Sequence, residues 1–145
     1  MTKIGTIYSL FYATSEQQTS TKELFLDTYG VIKDKHYKKD IERSVLLASK
    51  ESYELIRNND IDVAEGMLGE NLLMDYNPYH LGKGRRLKIA NVILEISQHC
   101  TLCKSFSKID TKLPNLLKDD RGIFAKVVAQ GSISVGDTIY LLDES

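Results

Sequence analysis

The apolar residues of this chain come in short runs: "KIGTIYSL", "ELFLD", "SVLL", "NLLM", "RLKIANVILEI", "FAKVVA" and "TIYLL". Most are rich in β-branched or aromatic side chains, which suit a pleated, half-buried strand better than a helix. Glycine-centred breaks separate them, as in "TYG", "LGKG" and "GSISVGD". The last is expected to be a tight connection between the strands holding Val127–Val128 and Ile139–Leu141. Strands that follow one another through short turns pair antiparallel. Helical pattern is local. "SKESYELIRNN" offers Ser49 as N-cap and Glu51 in the first turn. It spaces Tyr53, Leu55 and Ile56 for partial burial and stops at Asn58 and Asn59. A second short helix is predicted in "PNLLKDD", with Pro114 in its first turn. Many short strands with a few short helices at the rim make a mainly β fold, a barrel or a folded-over sheet.

At 145 residues, with two prolines, no repeat and no linker-like stretch, one domain over residues 1–145 is expected. The Thr-, Ser- and Gln-rich stretch after "KIGTIYSL" leaves two options for the first twenty residues, closing the barrel or forming a lid. Nineteen basic against twenty acidic side chains give a formal charge of −1, so no global field favours nucleic acid. Lys83, Arg85 and Arg86 form a local basic cluster able to hold a small anion. The N-terminal stretch lacks the continuous apolar core of a signal peptide. No segment approaches the roughly 20 apolar residues of a spanning helix. A cytoplasmic protein with no membrane association is expected, and there thiols stay mostly reduced.

Four stretches could carry chemistry. In "GVIKDKHY", Asp34 and His36 lie two apart. An extended segment would point both to one face, where a carboxylate orients or charges an imidazole; a polar loop has the same appearance. In "EGMLGENLL", Gly66 and Gly69 permit a turn that exposes backbone N–H groups, with Glu70 and Asn71 just before a strand. "DDRGIFAKVVAQGSISVGDTIYLL" sets Arg121–Gly122 before a strand, where a guanidinium could meet an oxyanion.

The fourth stretch, "HCTLC", contains the only two cysteines. A redox pair needs Cys100 and Cys103 in a βαβ setting, which the surroundings do not supply. Structural zinc needs about four ligands, and His36 and His80 sit in unrelated stretches. One working thiolate, tuned by His99 or Lys104, satisfies nucleophilic or soft-metal chemistry alone. Two small buried side chains at a strand end remain the bland alternative.

Taken in chain order, these stretches resemble the MOSC domain, named for the C-terminal part of molybdenum-cofactor sulfurases and found also as small stand-alone bacterial proteins. "GVIKDKHY" matches the family's Gly-x-x-Gly-Asp-x-His, and "ERSVLLASKE" its following strand and helix. "EGMLGENLL" matches Gly-x-x-Gly-Glu-Asn-Leu, Cys103 its characteristic cysteine, and "RGIFAKVVAQGSISVGDTI" its closing Gly-Asp hairpin. The resemblance runs from about residue 23 to 142. It implies a strongly twisted β-barrel and an association with the molybdenum cofactor, molybdopterin. Such proteins bind the cofactor, carry sulfur toward it, or reduce N-hydroxylated compounds with electron-transfer partners. Cys103 would be catalytic, as molybdenum ligand or sulfur carrier. Asp34, His36, Glu70 and Asn71 would line the cofactor pocket, with His99 tuning its charge. Arg43 and Arg121 are candidates for the cofactor's phosphate on chemical grounds.

A non-catalytic module that hands cofactor or sulfur to a partner molybdoenzyme is the alternative reading; a molybdoenzyme, a cysteine desulfurase or an electron-transfer protein is the partner expected. Thiol–disulfide exchange by Cys100 and Cys103 is a third. Lys33 stands where the family usually has glycine, Leu102 where proline often precedes the cysteine, and Cys100 is an extra thiol. Nothing here offers pyridoxal phosphate a recognisable Schiff-base lysine, so that cofactor is expected to belong to relatives fused to a desulfurase domain.

Overall fold

The computed structural model describes residues 1–99, 110–117 and 122–143. Its strands are β1 (Thr2–Ala13), β2 (Gln18–Thr21), β3 (Glu23–Asp27), β4 (Gly30–Val31), β5 (Val45–Ser49), β6 (Leu72–Met74), β7 (Arg86–Ile89), β8 (Val92–His99), β9 (Ile123–Ala129), β10 (Gly131–Ser134) and β11 (Thr138–Leu141). The α-helices are α1 (Lys50–Asn58) and the single turn α2 (Leu113–Leu116).

Seven strands close a barrel in the order β1-β6-β5-β9-β8-β7-β11, with β11 returning to β1. Closure removes the exposed edges an open sheet would leave. The twelve-residue β1 makes it possible. Its first half pairs with β11 and its second half with β6, with register breaks between Lys3 and Gly5 and between Ile7 and Ser9 that bend it round. The N-terminal residues therefore close the barrel, and β2 pairs back on the end of β1. At the bend, the Asp75 carboxylate accepts from Thr6 N–H at 2.7 Å and Thr6 Oγ1–H at 2.8 Å.

Two faces bury apolar surface. Ile7, Leu10, Val45, Leu47, Leu72, Leu87, Leu94, Ile123 and Ile139 fill the barrel. Outside it, Tyr53 and Ile56 of α1 pack with Phe11, Ala48, Leu73 and Leu117. All five residues of β5 and all three of β6 are consequently buried. That accounts for their unbroken apolar sequence, since a strand covered on both faces has no reason to alternate. Helix α1 starts as expected, Ser49 Oγ accepting from Glu51 N–H at 3.0 Å.

The structure corrects two expectations. β5 and β6 pair parallel, because α1 supplies the crossover that a parallel pair needs. "GSISVGD" is not a tight connection between β9 and β11. Its first four residues are β10, which leaves the barrel to pair with β3 in a three-stranded sheet ordered β10-β3-β4. Leu24, Leu26 and Ile133 of that sheet join the barrel core, so the excursion covers one side of it. "RLKIANVILEI" is likewise two strands, turned at Ala90 with φ +53°. Among the described residues no helix is long and apolar enough to cross a membrane.

Candidate functional site

After β4 the chain makes consecutive turns up to a short 3-10 turn at Ile41–Arg43. Two left-handed residues shape the start: Gly30 at φ +121°, whose Cβ would lie 3.1 Å from that of Ser44, and Lys33 at φ +81°. The second value lies where an L side chain is strained and glycine would not be. Asp34 and His36 are thus brought together by a turn, not by an extended strand.

Asp34 is the hub of this region. Its side chain is 1% exposed. One oxygen accepts Ala13 N–H at 2.6 Å and Asn71 Nδ2–H at 3.2 Å. The other accepts His36 N–H at 2.9 Å and meets His36 Nδ1 at 2.8 Å. Burial pushes the carboxyl up, but the bonds from His36 and Ala13 outweigh it and hold Asp34 below the usual carboxylate range. An ionised carboxylate only accepts, so the imidazole carries its proton on Nδ1 and turns Nε2 outward.

Asn71 joins this hub to the barrel. Its Oδ1 accepts Leu46 N–H at 3.0 Å, and Nδ2 donates to Phe11 carbonyl at 3.2 Å as well as to Asp34. Both N–H groups and the oxygen of the buried amide are engaged, and β1, β5 and the 34–36 turn are fixed to one another. Residues 34 and 71 come from two motifs far apart in sequence and form one structure.

The hub borders a cleft of about 440 Å³ lined by His36, Lys39, Asp40, Arg43, Ser44, Leu46, Gly69, Asn71 and Phe124. Asp40 caps the 3-10 turn through Glu42 N–H at 3.1 Å. The Arg43 guanidinium lies 4.8 Å from the Phe124 ring centre, a cation–π contact that anchors its charge against an apolar wall. Lys39 and Arg43 against the single Asp40 carboxylate suit a negatively charged ligand.

Glu70 behaves differently from its sequence neighbour. Its carboxylate does not line the cleft; it is buried beneath α1, accepting Tyr53 Oη–H at 2.7–2.8 Å and Gly66 N–H at 3.1 Å. Tyr53 Oη also accepts Gly66 N–H at 2.9 Å and Leu68 N–H at 3.2 Å. The N–H groups of the glycine turn are therefore occupied internally, and Glu70 with Tyr53 braces the loop that presents Gly69. Burial raises both side chains above their ordinary pKa values.

His99 also lies apart from this cleft. Its Nε2 meets Tyr79 carbonyl at 2.7 Å, and its ring stacks on Tyr79 with centroids 4.4 Å apart. Lys83, Arg85 and Arg86 line a separate surface cavity with Glu95 and Asp143, where Glu95 takes Arg86 Nε–H at 3.0 Å. Cys100, Cys103, Lys104 and Arg121 lie outside the described residues. Sequence reasoning missed Lys39, Asp40 and Phe124. The cap in "DIER" and the alternation of "IFA", with Ile123 and Ala125 inward, carried the signal for the last two.

A closed seven-stranded barrel with a basic cleft built on an Asp–His–Asn hub defines the class. The MOSC domain model matches residues 32–140, about three-quarters of the chain, and the chain belongs to the MOSC family, which is associated with the molybdenum cofactor. Among solved structures it is similar to the YUAD protein from Bacillus subtilis, with a TM-score of 0.85, 16% identity and coverage of 97% of each chain. YiiM from Escherichia coli follows at TM-score 0.69 and 20% identity, covering 100% of this chain and 71% of that one. YiiM from Geobacillus stearothermophilus gives 0.67 and 12%, covering 98% and 75%. These likenesses are of fold. No curated protein matches the sequence.

Proposed function

We propose that this protein binds the molybdenum cofactor in the cleft between the 34–44 turns and the β5–β9 wall, with Cys103 as molybdenum ligand or sulfur carrier. The observation behind this reading is that two family motifs meet in the Asp34–Asn71 bond beside a cleft holding Lys39 and Arg43. The donor set fits the group. Lys39 and Arg43 supply cationic donors for a terminal phosphate, while Leu46 and Phe124 give an apolar wall for a flat heterocycle. Arg121 would add a further cation. Bound cofactor would supply two-electron redox chemistry at molybdenum. The chain would anchor the anionic end, bring a thiolate to the soft metal and keep Asp34 ionised beneath His36. Reduction of N-hydroxylated compounds with an electron-transfer partner is the activity that the family resemblance adds to this reading.

Anaerobic purification from cells making the cofactor, followed by molybdenum and pterin analysis, tests the proposal. Stoichiometric molybdenum in the natural chain, lost in Cys103→Ala, is expected for a metal ligand. Pterin retained while transferable sulfur is lost is expected for a carrier. A protein that stays empty when offered cofactor, and whose Cys103→Ala form complements a deletion fully, defeats both versions.

A further inference from the structure

We propose that His36 is the proton donor of this cleft, delivering a proton from Nε2 to the oxygen that leaves an N-hydroxylated substrate; this rests on the function proposed above. Three observations carry it. The Nδ1 side of the ring is fixed by a carboxylate that is itself anchored by Ala13 N–H and Asn71. Among the described residues nothing bonds Nε2, and the ring both lines the cleft and is 57% exposed. Each remaining charged group of the cleft has a different use. The Arg43 guanidinium is a permanent cation, and Asp40 is turned onto Glu42 N–H.

An imidazole locked at Nδ1 by a buried carboxylate takes a second proton only at Nε2, so it gains and gives protons at one position facing the substrate. The overall change is R–NHOH + 2 H⁺ + 2 e⁻ → R–NH₂ + H₂O. The N–O bond breaks and nitrogen is reduced. The Nε2 proton goes to the departing oxygen, which leaves as water, and the second proton reaches nitrogen from solvent. The two electrons originate in a reduced flavin or iron–sulfur partner, or in a reduced viologen in vitro. Solvent exposure then lets His36 recover its proton. Asp34 is a positioning residue in this scheme, since it acts only through the imidazole.

The test uses the full cofactor-loaded chain, reduced viologen and an amidoxime, beside ¹⁵N spectra of the ligand-free protein. His36→Gln should keep its molybdenum and pterin content while reduction falls about 100-fold or more. Added imidazole should restore part of the rate to His36→Ala. Without ligand, ¹⁵N shifts should show His36 protonated at Nδ1 and switched toward Nε2 in Asp34→Asn. Reduction by His36→Gln within about threefold of the natural chain overturns the assignment. So does loss of cofactor from that variant, which would make His36 a binding residue. A natural chain that takes up no cofactor overturns the underlying functional reading as well, and metal analysis identifies that outcome before any rate is measured.

Discussion

Replacing Asp34 perturbs the point where both motifs meet, and the structure sets the size of the effect. Asp34→Ala strands the buried Ala13 N–H, which has its 2.6 Å bond there. Asn71 Nδ2 keeps only its bond to Phe11 carbonyl, and His36 is released toward solvent. A stranded buried donor costs about 1–3 kcal/mol, and with partial loss at Asn71 the total is about 3 kcal/mol. Asp34→Asn keeps an acceptor for Ala13 but sets an NH₂ group against His36 N–H, for a loss of about 1–2 kcal/mol. The pH dependence adds a second readout. Asp34 is held below its ordinary value of 3.8, so the stability it contributes is present above that value and is lost as pH falls through the lower folded value. The deficit of Asp34→Asn should therefore shrink between pH 7 and pH 2. With eight tyrosines and no tryptophan, urea unfolding followed by far-ultraviolet circular dichroism and tyrosine emission is the suitable assay. A deficit for Asp34→Ala below about 0.5 kcal/mol at pH 7, or one for Asp34→Asn that does not change with pH, would refute the hub.

Other substitutions probe the elements around the cleft. Gly122 has φ +99° and its added Cβ would lie 2.7 Å from Leu47 carbonyl; Gly122→Ala should cost about 3 kcal/mol or more by thermal unfolding, since backbone must move. Lys33→Gly relieves about 1–2 kcal/mol of left-handed strain against about 0.5–1 kcal/mol of added chain entropy, so a slightly raised melting temperature is expected. Glu70 is raised by burial, and its contribution is full below the ordinary value of 4.5 and lost as pH rises through the folded value. Glu70→Gln should gain on the natural chain in melting temperature between pH 4 and pH 8. A gain of the opposite sign would place an ionised, fully compensated carboxylate there.

Much of the barrel was legible because burial leaves a pattern. β5, α1 and β6 were readable through Ser49 as cap and through the apolar runs "SVLL" and "NLLM", whose burial on both faces the structure added. β10 did not, because "GSIS" has the composition of a turn and becomes a strand only through its pairing with β3. The parallel β5–β6 pair was hidden for a related reason, since sequence order does not reveal which neighbour a strand selects. At the site, Asp34, His36 and Asn71 followed from motif order. Glu70 did not separate from Asn71 in sequence. Its direction depends on Tyr53, seventeen residues away, whose hydroxyl is the partner a buried carboxylate requires. Lys39 and Phe124 enter the cleft only because the chain turns repeatedly after Gly30 and because β9 pairs with β5.

The most direct measurement is a crystal structure of the protein loaded with molybdenum cofactor. Expected are the phosphate of the cofactor on Lys39 and Arg43, Phe124 beside the heterocycle, and Cys103 Sγ within bonding distance of molybdenum. Cofactor seated instead in the basic cavity of Lys83, Arg85 and Arg86, or bound with the Arg43 cleft left to solvent, would contradict the proposed function.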